Sequence, residues 1–562
     1  MIPRVKECTY KGHDAAFGPK VTLSAPESMA RKACRALELF LPQCEAAVTA
    51  GQGDICVRPE GSMSPESYRL QVEDGRVEIV CADYAGLRNA LAVLSQLTCR
   101  QEGVLSVPDT AICDAPVCNY RGIMLDFARG IRPYEKLIDD VILAAKARMN
   151  TLHLHLCDAQ GVAVELDSVP QDIIWEGAYT KEQMRQLAEL CDVLALEIIP
   201  EYDLPAHAIS MTTAADELRC KDADGGNFAS PWVLCPGSEG IFEWMDSVIG
   251  EVCELFPGRY FHIGGDELYF PDIPGLNQLC HWDECVKCRA LREREGLADM
   301  QEEYYYVLRR LYDMVRARGR TMIFWTDQID PDRPRPLPVD GVIGQYWRHY
   351  DKPGRGPVGG SLQGQLEMGY TLINSYYMDT YADMDEYMSE QTIRDWRWDK
   401  RPGTDPALAH RITGSELCAW EYGNAAQYSH YDRTLPASIA LMADKLWNGD
   451  ELDYTPDYCR AVTRLLLGVG AGDLDLCAAL GGLIPPRVIL SSDTGDVDLA
   501  VAMGGHMSSA TEVKARAGQV TLSRDELEQV KAALGDENRY LAGDLRRARV
   551  FADCVDFVLE NK

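Results

Sequence analysis

Apolar runs alternate with helix-period segments along the middle of the chain. Between residues 118 and 430, eight short apolar runs indicate buried strands, and apolar residues at helical spacing follow them. These runs are 120–128, 151–157, 197–203, 260–265, 321–326, 341–347, 370–378 and 412–420. A strand followed by a helix, repeated eight times over this length, predicts an α/β fold of the (β/α)8 TIM-barrel type. Such a barrel carries its site at the carboxyl ends of the strands.

The pattern changes on either side of this barrel. Residues 1–117 mix short alternating strands with helix-period segments, which predicts a small N-terminal α+β domain. The barrel domain is expected to span residues 118–468. Residues 469–562 are mainly helical in pattern and end in a charged helix from about 523 to 560. We therefore expect a barrel with an α+β domain before it and a helical region after it.

Composition and charge narrow the range of partners. The chain has 562 residues, and its 56 basic and 87 acidic side chains give a net charge of 56 − 87 = −31. This charge repels nucleic acid and anionic membranes, so we expect neither as a partner. The first residues lack an apolar signal-peptide core, and no stretch reaches the roughly 18 apolar residues of a membrane span. We expect a cytoplasmic protein, although a chain trimmed of its signal peptide would look the same. A homodimer is compatible with these features.

Twenty cysteines are scattered among apolar neighbours, which is typical of buried thiols in a reducing compartment. One cluster differs, because Cys280 and His281 precede Cys285 and Cys288, a Cys-x-x-Cys pair with metal-ligand spacing. A closed zinc site needs a second ligand pair, and none is obvious in the sequence. We interpret these residues as loop cysteines, with a structural zinc as the alternative, and we predict no metal and no cofactor.

Charged and aromatic residues follow the predicted strands at the end where a barrel carries its site. The run 260–265 closes with two glycines, which permit a sharp turn, and leads into the adjacent acids Asp266 and Glu267. Residues of the same kinds follow other strands: Arg129, Asp158, Asp203, His207, Trp325, Asp327, Trp347, Tyr377, Asp379 and Trp420. Aromatic faces cover apolar CH groups, and charged groups bind hydroxyls, so this combination predicts a sugar site.

Each of these residues also has a structural interpretation. A tryptophan at a strand end can belong to the core, an arginine such as Arg129 can lie on the surface, and adjacent acids can mark a solvated strand end. The recurrence of such residues after successive strands favours a functional site. His153 and His155, which alternate with leucines inside a strand, are interpreted as structural.

Several motifs resemble those of the glycoside hydrolase family 20 β-N-acetylhexosaminidases. The family's His-x-Gly-Gly-Asp-Glu strand end occurs at 262–267, and its Asp-x-Pro-Gly-His loop occurs at 203–207 with Ala206 in the glycine position. Arg129 and Asp158 match its substrate-gripping arginine and the aspartate after its second strand. The resemblance covers the N-terminal domain and the barrel, about 430 residues.

The resemblance implies an exo-acting, retaining β-N-acetylhexosaminidase that releases terminal β-linked GlcNAc or GalNAc from a glycan or glycoconjugate. In such enzymes the 2-acetamido oxygen attacks its own anomeric carbon and gives an oxazolinium ion. Glu267 would then act as acid and base, Asp266 would hold the amide N–H, and Tyr377 would donate to the acetamido oxygen. The implied substrate-binding residues are Arg129, Asp158, Asp203, His207, Trp325, Trp347, Asp379 and Trp420. Asp203 and His207 would form a carboxylate–imidazole pair that tunes the acid.

The adjacent acids favour the same chemistry on their own. A retaining glycosidase with a protein nucleophile needs two carboxyl groups about 5 Å apart on opposite sides of the bond. Neighbouring residues at one strand end are not obviously placed in that way. The nucleophile is therefore expected to come from elsewhere, and the substrate's own acetamido group is suitable.

One departure from the family pattern and one pair of cationic residues leave the substrate open. Tyr422 stands where the family commonly has an acid that contacts distal hydroxyls, and Glu421 precedes it. Arg348 and His349 follow the sixth strand and either accept a 6-O-sulfate or form a solvated loop. The alternatives are thus a family relative specific for 6-sulfo-GlcNAc and a non-catalytic carbohydrate-binding barrel. The presence of both adjacent acids disfavours the second.

Overall fold

The computed structural model describes most of the chain up to residue 449. The described residues are 3–42, 44–101, 104–268, 279–348, 361–382, 396–399, 403–425, 428–449, 489–492, 495–498 and 519–521. Within these ranges, no helix is both long enough and apolar enough to cross a membrane.

An N-terminal α+β domain precedes the barrel, as predicted. Its elements are β1 (Glu7–Phe17), β2 (Lys20–Ser24), α1 (Glu27–Phe40), β3 (Glu45–Val48), β4 (Ile55–Pro59), β5 (Tyr68–Glu73), β6 (Arg76–Cys81), α2 (Tyr84–Leu97), β7 (Cys99–Gln101) and β8 (Val104–Asp114). The strand order is β1-β8-β5-β6-β4-β2-β3, with β7 beside β8. Helix α1 buries Ala30, Ala33, Leu37 and Phe40 at helical spacing, which makes one face apolar.

Eight parallel strands form the predicted barrel. The strands that follow the N-terminal domain are β9 (Tyr120–Asp126), β10 (Thr151–His155), β11 (Cys157–Asp158), β12 (Gly161–Val164), β13 (Ile174–Tyr179), β14 (Glu197–Glu201), β15 (Tyr260–His262), β16 (Thr321–Trp325), β17 (Val342–Tyr346), β18 (Leu372–Asn374), β19 (Tyr381–Ala382) and β20 (Ile412–Ala419). Strands β11 to β13 form a small separate sheet, and β19 adds to β20. The other eight pair side by side, and the pairing of β18 with β20 closes the ring. Each of the eight lies within one of the predicted runs.

Helices connect most of the barrel strands. They are α3 (Tyr134–Lys146), α4 (Lys181–Val193), α5 (Ile209–Ala214), α6 (Ile241–Leu255), α7 (Val286–Glu295), α8 (Met300–Ala317), α9 (Leu362–Glu367), α10 (Tyr377–Thr380) and α11 (Tyr428–Asn448). Helix α4 begins with a capping box in which Thr180 and Gln183 satisfy each other's backbone amides. Asp299 caps α8 by accepting the amide of Glu302 at 3.0 Å. Local sequence signals therefore fix where α4 and α8 begin.

The barrel interior is polar beneath the predicted site. Glu201 Oε2 accepts a hydrogen bond from His155 Nδ1 at 2.5 Å, and Glu201 Oε1 lies 3.0 Å from His262 Nδ1, which accepts the amide of Gly264. His153 Nδ1 lies 3.0 Å from Glu416 Oε1. Burial opposes charge on His153, but the two glutamates outweigh it and raise its pKa to about 9. Imidazoles and carboxylates are thus paired inside the barrel, the arrangement expected of structural histidines in β10.

A buried ion pair joins the N-terminal domain to the barrel. Arg148, in the turn before β10, lies 2.6 Å from Asp114 Oδ2 at the end of β8, and both side chains are inaccessible to solvent. Asp114 Oδ1 also accepts Trp447 Nε1 of α11 at 3.0 Å. The guanidinium lies 4.1 Å from the centre of the Trp447 ring. Three parts of the chain therefore meet at one carboxylate.

The predicted C-terminal helical region lies mostly outside the described residues. The described part of residues 469–562 consists of three paired strands, β21 (Ile489–Ser492), β22 (Gly495–Asp498) and β23 (Gln519–Thr521), so these short segments are strand and not helix. The predicted closing helix at about 523 to 560 lies outside the described residues.

Candidate active site

His207 lies at the centre of the residues that the sequence places in the site. Its Nδ1 is 3.1 Å from Asp158 Oδ1, and its Nε2 is 3.4 Å from Glu267 Oε2 and 3.6 Å from Asp266 Oδ2. These side chains follow β10, β14 and β15, which are neighbours in the barrel. Burial opposes charge on the imidazole, but the surrounding aspartates outweigh it and raise the pKa of His207 well above its usual range. One imidazolium therefore contacts both adjacent acids.

The backbone after β15 turns sharply to place the two acids. Gly264 and Gly265 have φ angles of 68° and 95°, and Glu267 has a φ of 53°. These values lie in the left-handed region that favours glycine. A Cβ on Gly264 would lie 1.8 Å from Asp203 Oδ1, so a side chain does not fit there. The amide of Glu267 donates to Asp327 Oδ2 at 3.1 Å. The turn is thus held by both glycine geometry and a carboxylate.

The two acids have different proton affinities although they are neighbours. Burial raises the pKa of Asp266 to about 6, against the opposing charge of His207. Burial acts in the same direction on Glu267, but His207 and then Arg348 outweigh it and lower the pKa of Glu267 below its usual value. Arg348 Nη1 lies 3.7 Å from Glu267 Oε1. In this arrangement, Asp266 is the more easily protonated of the two.

Arg129 is a cation held in place by the carboxylates of Asp126 and Asp158. Its Nη1 is 2.7 Å from Asp126 Oδ2, and its Nη2 is 2.7 Å from Asp158 Oδ2. Burial disfavours the charged guanidinium, but these two carboxylates outweigh it and raise the pKa of Arg129. The guanidinium carbon also lies 5.1 Å from the centre of the Trp420 ring. Because 19% of the side chain is exposed, Arg129 can still contact a ligand at the rim.

The three predicted tryptophans come together in one aromatic wall. Trp325 is buried at its base, where Nε1 donates to Glu201 Oε1 at 2.7 Å, and its ring centre lies 6.0 Å from that of Trp420. Tyr381 joins the other two rings, because it stacks on Trp347 at 6.2 Å and lies 5.6 Å from Trp420. Tyr381 was missed in the sequence, although it lies four residues after a predicted site tyrosine.

Tyr377 and Asp379 lie at the edge of this wall, in the short helix α10. The Tyr377 ring is 6.4 Å from the Trp347 ring, and its amide donates to Trp347 O at 2.9 Å. Tyr377 is 38% exposed, and Asp379 is partly exposed. The structure therefore places both residues at the rim of the site and not at its floor.

The structure differs from the sequence hypothesis over the carboxylate partner of His207. Asp203 Oδ2 is 4.0 Å from His207 Nε2, whereas Asp158 is 3.1 Å from Nδ1. Asp203 Oδ1 instead accepts the amide of Gly265 at 3.3 Å. Burial, reinforced by the charge of Asp266, raises the pKa of Asp203 well above its usual range. Asp158 is therefore the hydrogen-bonding partner, because the loop after β10 reaches the same imidazole, and Asp203 supports the turn.

Sequence reasoning missed two residues that support the site. The Trp232 ring lies 4.4 Å from His207, and its Nε1 donates to Glu267 O at 2.9 Å. Trp232 lies in the loop before α6, where no sequence pattern indicated it. Glu201 binds the base of the aromatic wall and the histidines below it. A carboxylate inside the predicted strand 197–203 was a signal that could have identified it.

The residues after β17 and β20 that left the substrate open lie in different environments. Tyr422 is buried and donates to Asp140 Oδ2 at 2.8 Å, so it belongs to the core. Glu421 is the partly exposed member of the pair, with a φ of 58° and its amide bonded to Asp126 Oδ2 at 2.7 Å. Arg348 lies over the Trp347 ring at 4.2 Å and beside the acid pair. His349 lies outside the described residues.

In the described part of the chain, four groups of side chains lie close enough together to hold a metal ion. Three lie in the barrel and share the imidazoles and carboxylates that already pair with each other, as in His155 with Asp158 at 3.0 Å. The fourth consists of the cysteines Cys220, Cys235, Cys285 and Cys288, all buried.

Known proteins share this architecture. The solved structure of a GH20 exo-β-N-acetylglucosaminidase from Vibrio harveyi, in complex with N-acetylglucosamine, superposes with a TM-score of 0.69 at 23% identity, covering 84% of this chain and 77% of that one. The β-N-acetylhexosaminidase from Bacteroides fragilis gives a TM-score of 0.70 at 22% identity, covering 83% and 94%. These similarities show the fold.

Sequence comparison identifies the family. A β-hexosaminidase of Vibrio furnissii is 30% identical over 438 residues, 72% of this chain and 65% of the relative, and one of Porphyromonas gingivalis is 24% identical over 71% and 53%. The matched region therefore spans less than two thirds of the length of these relatives. Residues 1–115 match glycosyl hydrolase family 20, domain 2, and residues 118–450 match the catalytic domain of the same family. The chain belongs to glycosyl hydrolase family 20.

Proposed function

We propose that this protein is an exo-acting, retaining β-N-acetylhexosaminidase that releases terminal β-linked GlcNAc or GalNAc from glycans or glycoconjugates. One observation carries the proposal: the carboxylates of Asp266 and Glu267 both lie within 3.6 Å of one nitrogen of His207, beside an aromatic wall. Acids gathered on one imidazole nitrogen do not match the opposed pair of a covalent glycosyl-enzyme mechanism. The nucleophile is then the substrate's acetamido oxygen.

Asp266 receives the acetamido N–H. Its Oδ1 is buried and makes no hydrogen bond within the described part of the chain, so it can accept a donor from the substrate. Such a hydrogen bond favours the ionised carboxylate and lowers its pKa from about 6. The negative charge then offsets the positive charge that develops on the oxazolinium ring.

Glu267 protonates the leaving oxygen and afterwards deprotonates the attacking water. It needs a proton when the substrate binds, because His207 and Arg348 favour its ionised form. The nearest donor is His207, whose Nε2 lies 3.4 Å from Glu267 Oε2. A substrate that covers Glu267 excludes water and raises its proton affinity, so the Nε2 proton moves to Oε2 while Asp158 stays bonded to Nδ1.

The aromatic wall orients the acetamido group. Trp325, Trp347 and Trp420 confine its methyl group, which makes the attack intramolecular and oriented. The hydroxyl of Tyr377 at the rim donates a hydrogen bond to the acetamido oxygen. Arg129, held by two carboxylates, and the neighbouring acids bind the hydroxyls of the terminal sugar.

Among the described residues, the geometry gives the 6-sulfo-GlcNAc alternative no specific support. Arg348 lies 3.7 Å from Glu267 Oε1 and 3.6 Å from Asp327 Oδ2, so its charge faces the acid pair and its partners. A cation in that position acts on the acid. The non-catalytic alternative would leave the buried acids and their charged histidine without a role.

A panel of aryl β-glycosides tests the proposed function. We expect release of the aryl group from GlcNAc and GalNAc glycosides and very slow release from the glucoside, which differs from the GlcNAc substrate by lacking the acetamido nucleophile. A thiazoline mimic of the bicyclic intermediate should inhibit far more tightly than GlcNAc. Efficient glucoside hydrolysis, or a sugar trapped covalently on a protein carboxylate, would refute the mechanism. Preference for 6-sulfo-GlcNAc over GlcNAc would refute the assigned substrate.

A further inference from the structure

Four buried cysteines from two separate loops meet beside the barrel. Cys220 and Cys235 lie between β14 and α6, whereas Cys285 precedes α7 and Cys288 lies in its first turn. The Sγ atom of Cys235 lies 3.7 Å from that of Cys285 and 3.6 Å from that of Cys288. The Sγ atoms of Cys220 and Cys288 are 4.0 Å apart. All four sulfur atoms lie within 4.8 Å of one another. The fold thus supplies the second cysteine pair that the sequence did not reveal.

These distances fit one small ion and do not fit disulfides. Four thiolates about 2.3 Å from a tetrahedral Zn²⁺ ion stand roughly 3.8 Å apart. A disulfide instead requires two sulfur atoms about 2.05 Å apart. Three of the six sulfur–sulfur separations, at 3.6 to 4.0 Å, therefore match edges of a tetrahedron of zinc ligands. The group is also too compact to enclose a multi-iron cluster.

The surroundings of the sulfur atoms resemble a ligand shell. The amide of Lys221 donates to Cys285 Sγ at 3.3 Å, and the amide of Val286 donates to Lys221 O at 3.0 Å. A Cβ on Gly237 would lie 2.3 Å from the carbonyl of Lys287, so only glycine lets the first loop approach α7 this closely. Two loops distant in sequence are thus packed to bring their sulfur atoms together.

The cluster differs from the one that the sequence suggested. Cys280 lies outside it and contacts Met300 Sδ at 3.7 Å. His281 stacks on Phe228 at 4.4 Å and bonds Glu284 at 2.9 Å. The sequence did not show which cysteines converge, because Cys220 and Cys235 lie some 50 residues or more before the Cys-x-x-Cys pair.

We propose that Cys220, Cys235, Cys285 and Cys288 bind one structural Zn²⁺ ion through four thiolates. A closed site with four sulfur ligands has no open coordination position, so it contributes to folding and not to bond cleavage. The prediction of no metal is replaced here by this site. The ion would tie the loop after β14 to the loop after β15.

The tied loops carry residues that position the acid. Trp232 lies between the first two cysteines in sequence, and it bonds Glu267 O at 2.9 Å and contacts His207 at 4.4 Å. Two residues later, Leu234 O accepts Trp282 Nε1 from the other loop at 2.9 Å. Zinc therefore acts as a positioning element, through Trp232, for the proposed general acid.

Metal analysis of the full-length protein, purified under reducing conditions without chelator, tests the proposal. We expect about one zinc ion per chain in the wild type and in Cys280→Ser, a matched control from the same loop that is outside the cluster. Cys285→Ser should lose the zinc and unfold at a lower temperature. Absence of bound metal from the soluble wild type, or equal zinc content in Cys285→Ser, would refute the site. Bound iron in place of zinc would refute the assigned ion.

A second measurement needs no variant, so it holds even if Cys285→Ser does not fold. Wild-type protein in which Co²⁺ replaces zinc should show the absorption of a tetrahedral thiolate complex, and a thiol-specific mercurial should release the metal. Octahedral cobalt spectra, or disulfides between these cysteines found by mass spectrometry, would overturn the proposal. Zinc content is measured without substrate, so failure of this site is distinguishable from failure of the proposed hydrolase activity.

Discussion

At the scale of single residues, two neighbouring acids that contact the same imidazole have different properties. His207 contacts both carboxylates through Nε2, but Asp266 is buried whereas 26% of the Glu267 side chain is exposed near Arg348. Burial disfavours a charge, and a nearby cation favours a carboxylate. The environment and not the residue type therefore separates an acid that stabilises charge from an acid that transfers a proton.

Glu267→Gln removes the group that protonates the leaving oxygen. Hydrolysis of natural glycosides should fall by about 10²–10⁴, whereas aryl glycosides with acidic leaving groups should lose much less, because they need little protonation. Steady-state kinetics on the two substrate types measures the difference. Glu182→Gln, an exposed change on α4, is the control and should behave as wild type. An equal loss on both substrate types would contradict the assignment.

Asp266→Asn removes the charge that stabilises the oxazolinium ion and keeps a side chain of similar shape. We expect kcat to fall by about 10²–10³ with little change in KM, because the stabilisation is aimed at the transition state. Separate determination of kcat and KM shows whether Asp266 stabilises the transition state or only binds the substrate. If KM rose while kcat stayed intact, Asp266 would be a binding residue only.

The raised pKa of Asp266 predicts an acidic limb in the activity profile. The ionised carboxylate is the active form, so kcat/KM should rise with pH through about 6. The same shift acts on stability: the folded-state pKa exceeds the ordinary value of 3.8, so the folded chain binds more protons. The contribution of Asp266 to stability therefore falls as pH rises from 3.8 to about 6. The limb should disappear in Asp266→Asn, and a limb that remains would be assigned to another group.

At the scale of elements, the turn after β15 is more constrained than the strand before it. Gly264→Ala meets two penalties, a φ of 68° and a Cβ placed 1.8 Å from Asp203 Oδ1. Gly319→Ala, with a φ of 73° and no atom within 4 Å, isolates the first penalty, about 1–2 kcal/mol. We expect the thermal midpoint to fall clearly further for Gly264→Ala, together with a loss of activity. Equal midpoints would mean that the turn relaxes freely.

At the scale of the whole molecule, the domains are joined by charge as well as by apolar packing. Asp114→Ala leaves the fully buried Arg148 without its carboxylate, which typically costs about 3–5 kcal/mol. The variant should unfold at a lower temperature. It should keep its kcat when folded, because Asp114 is distant in sequence from Asp266 and Glu267. Glu73→Ala, which breaks the exposed pair of Lys11 and Glu73, is the control and should leave the unfolding midpoint unchanged. Equal effects would mean that the buried pair contributes no more than a surface one.

Strand positions could be predicted because each barrel strand is a short, buried apolar run. The run 260–265, for example, contains β15 and ends at the glycines of the turn. The acids and tryptophans after the strands could be predicted for the same reason, since strand ends of a closed barrel share one rim. Trp232 could not be predicted, because its loop has no repeating pattern and its partners His207 and Glu267 are distant in sequence.

The sequence by itself determined the local features: strand and helix periods, the glycine turn before the adjacent acids, and the residue types of a sugar site. Only the tertiary structure decided which groups touch. In the folded chain, His207 forms its hydrogen bond with Asp158 and not with Asp203, and Cys220 and Cys235 lie beside the Cys-x-x-Cys pair. The reason is physical: periodicity reports the face that a segment buries, whereas hydrogen bonds and metal ligation depend on distances of a few ångströms between loops, which are set when the barrel closes.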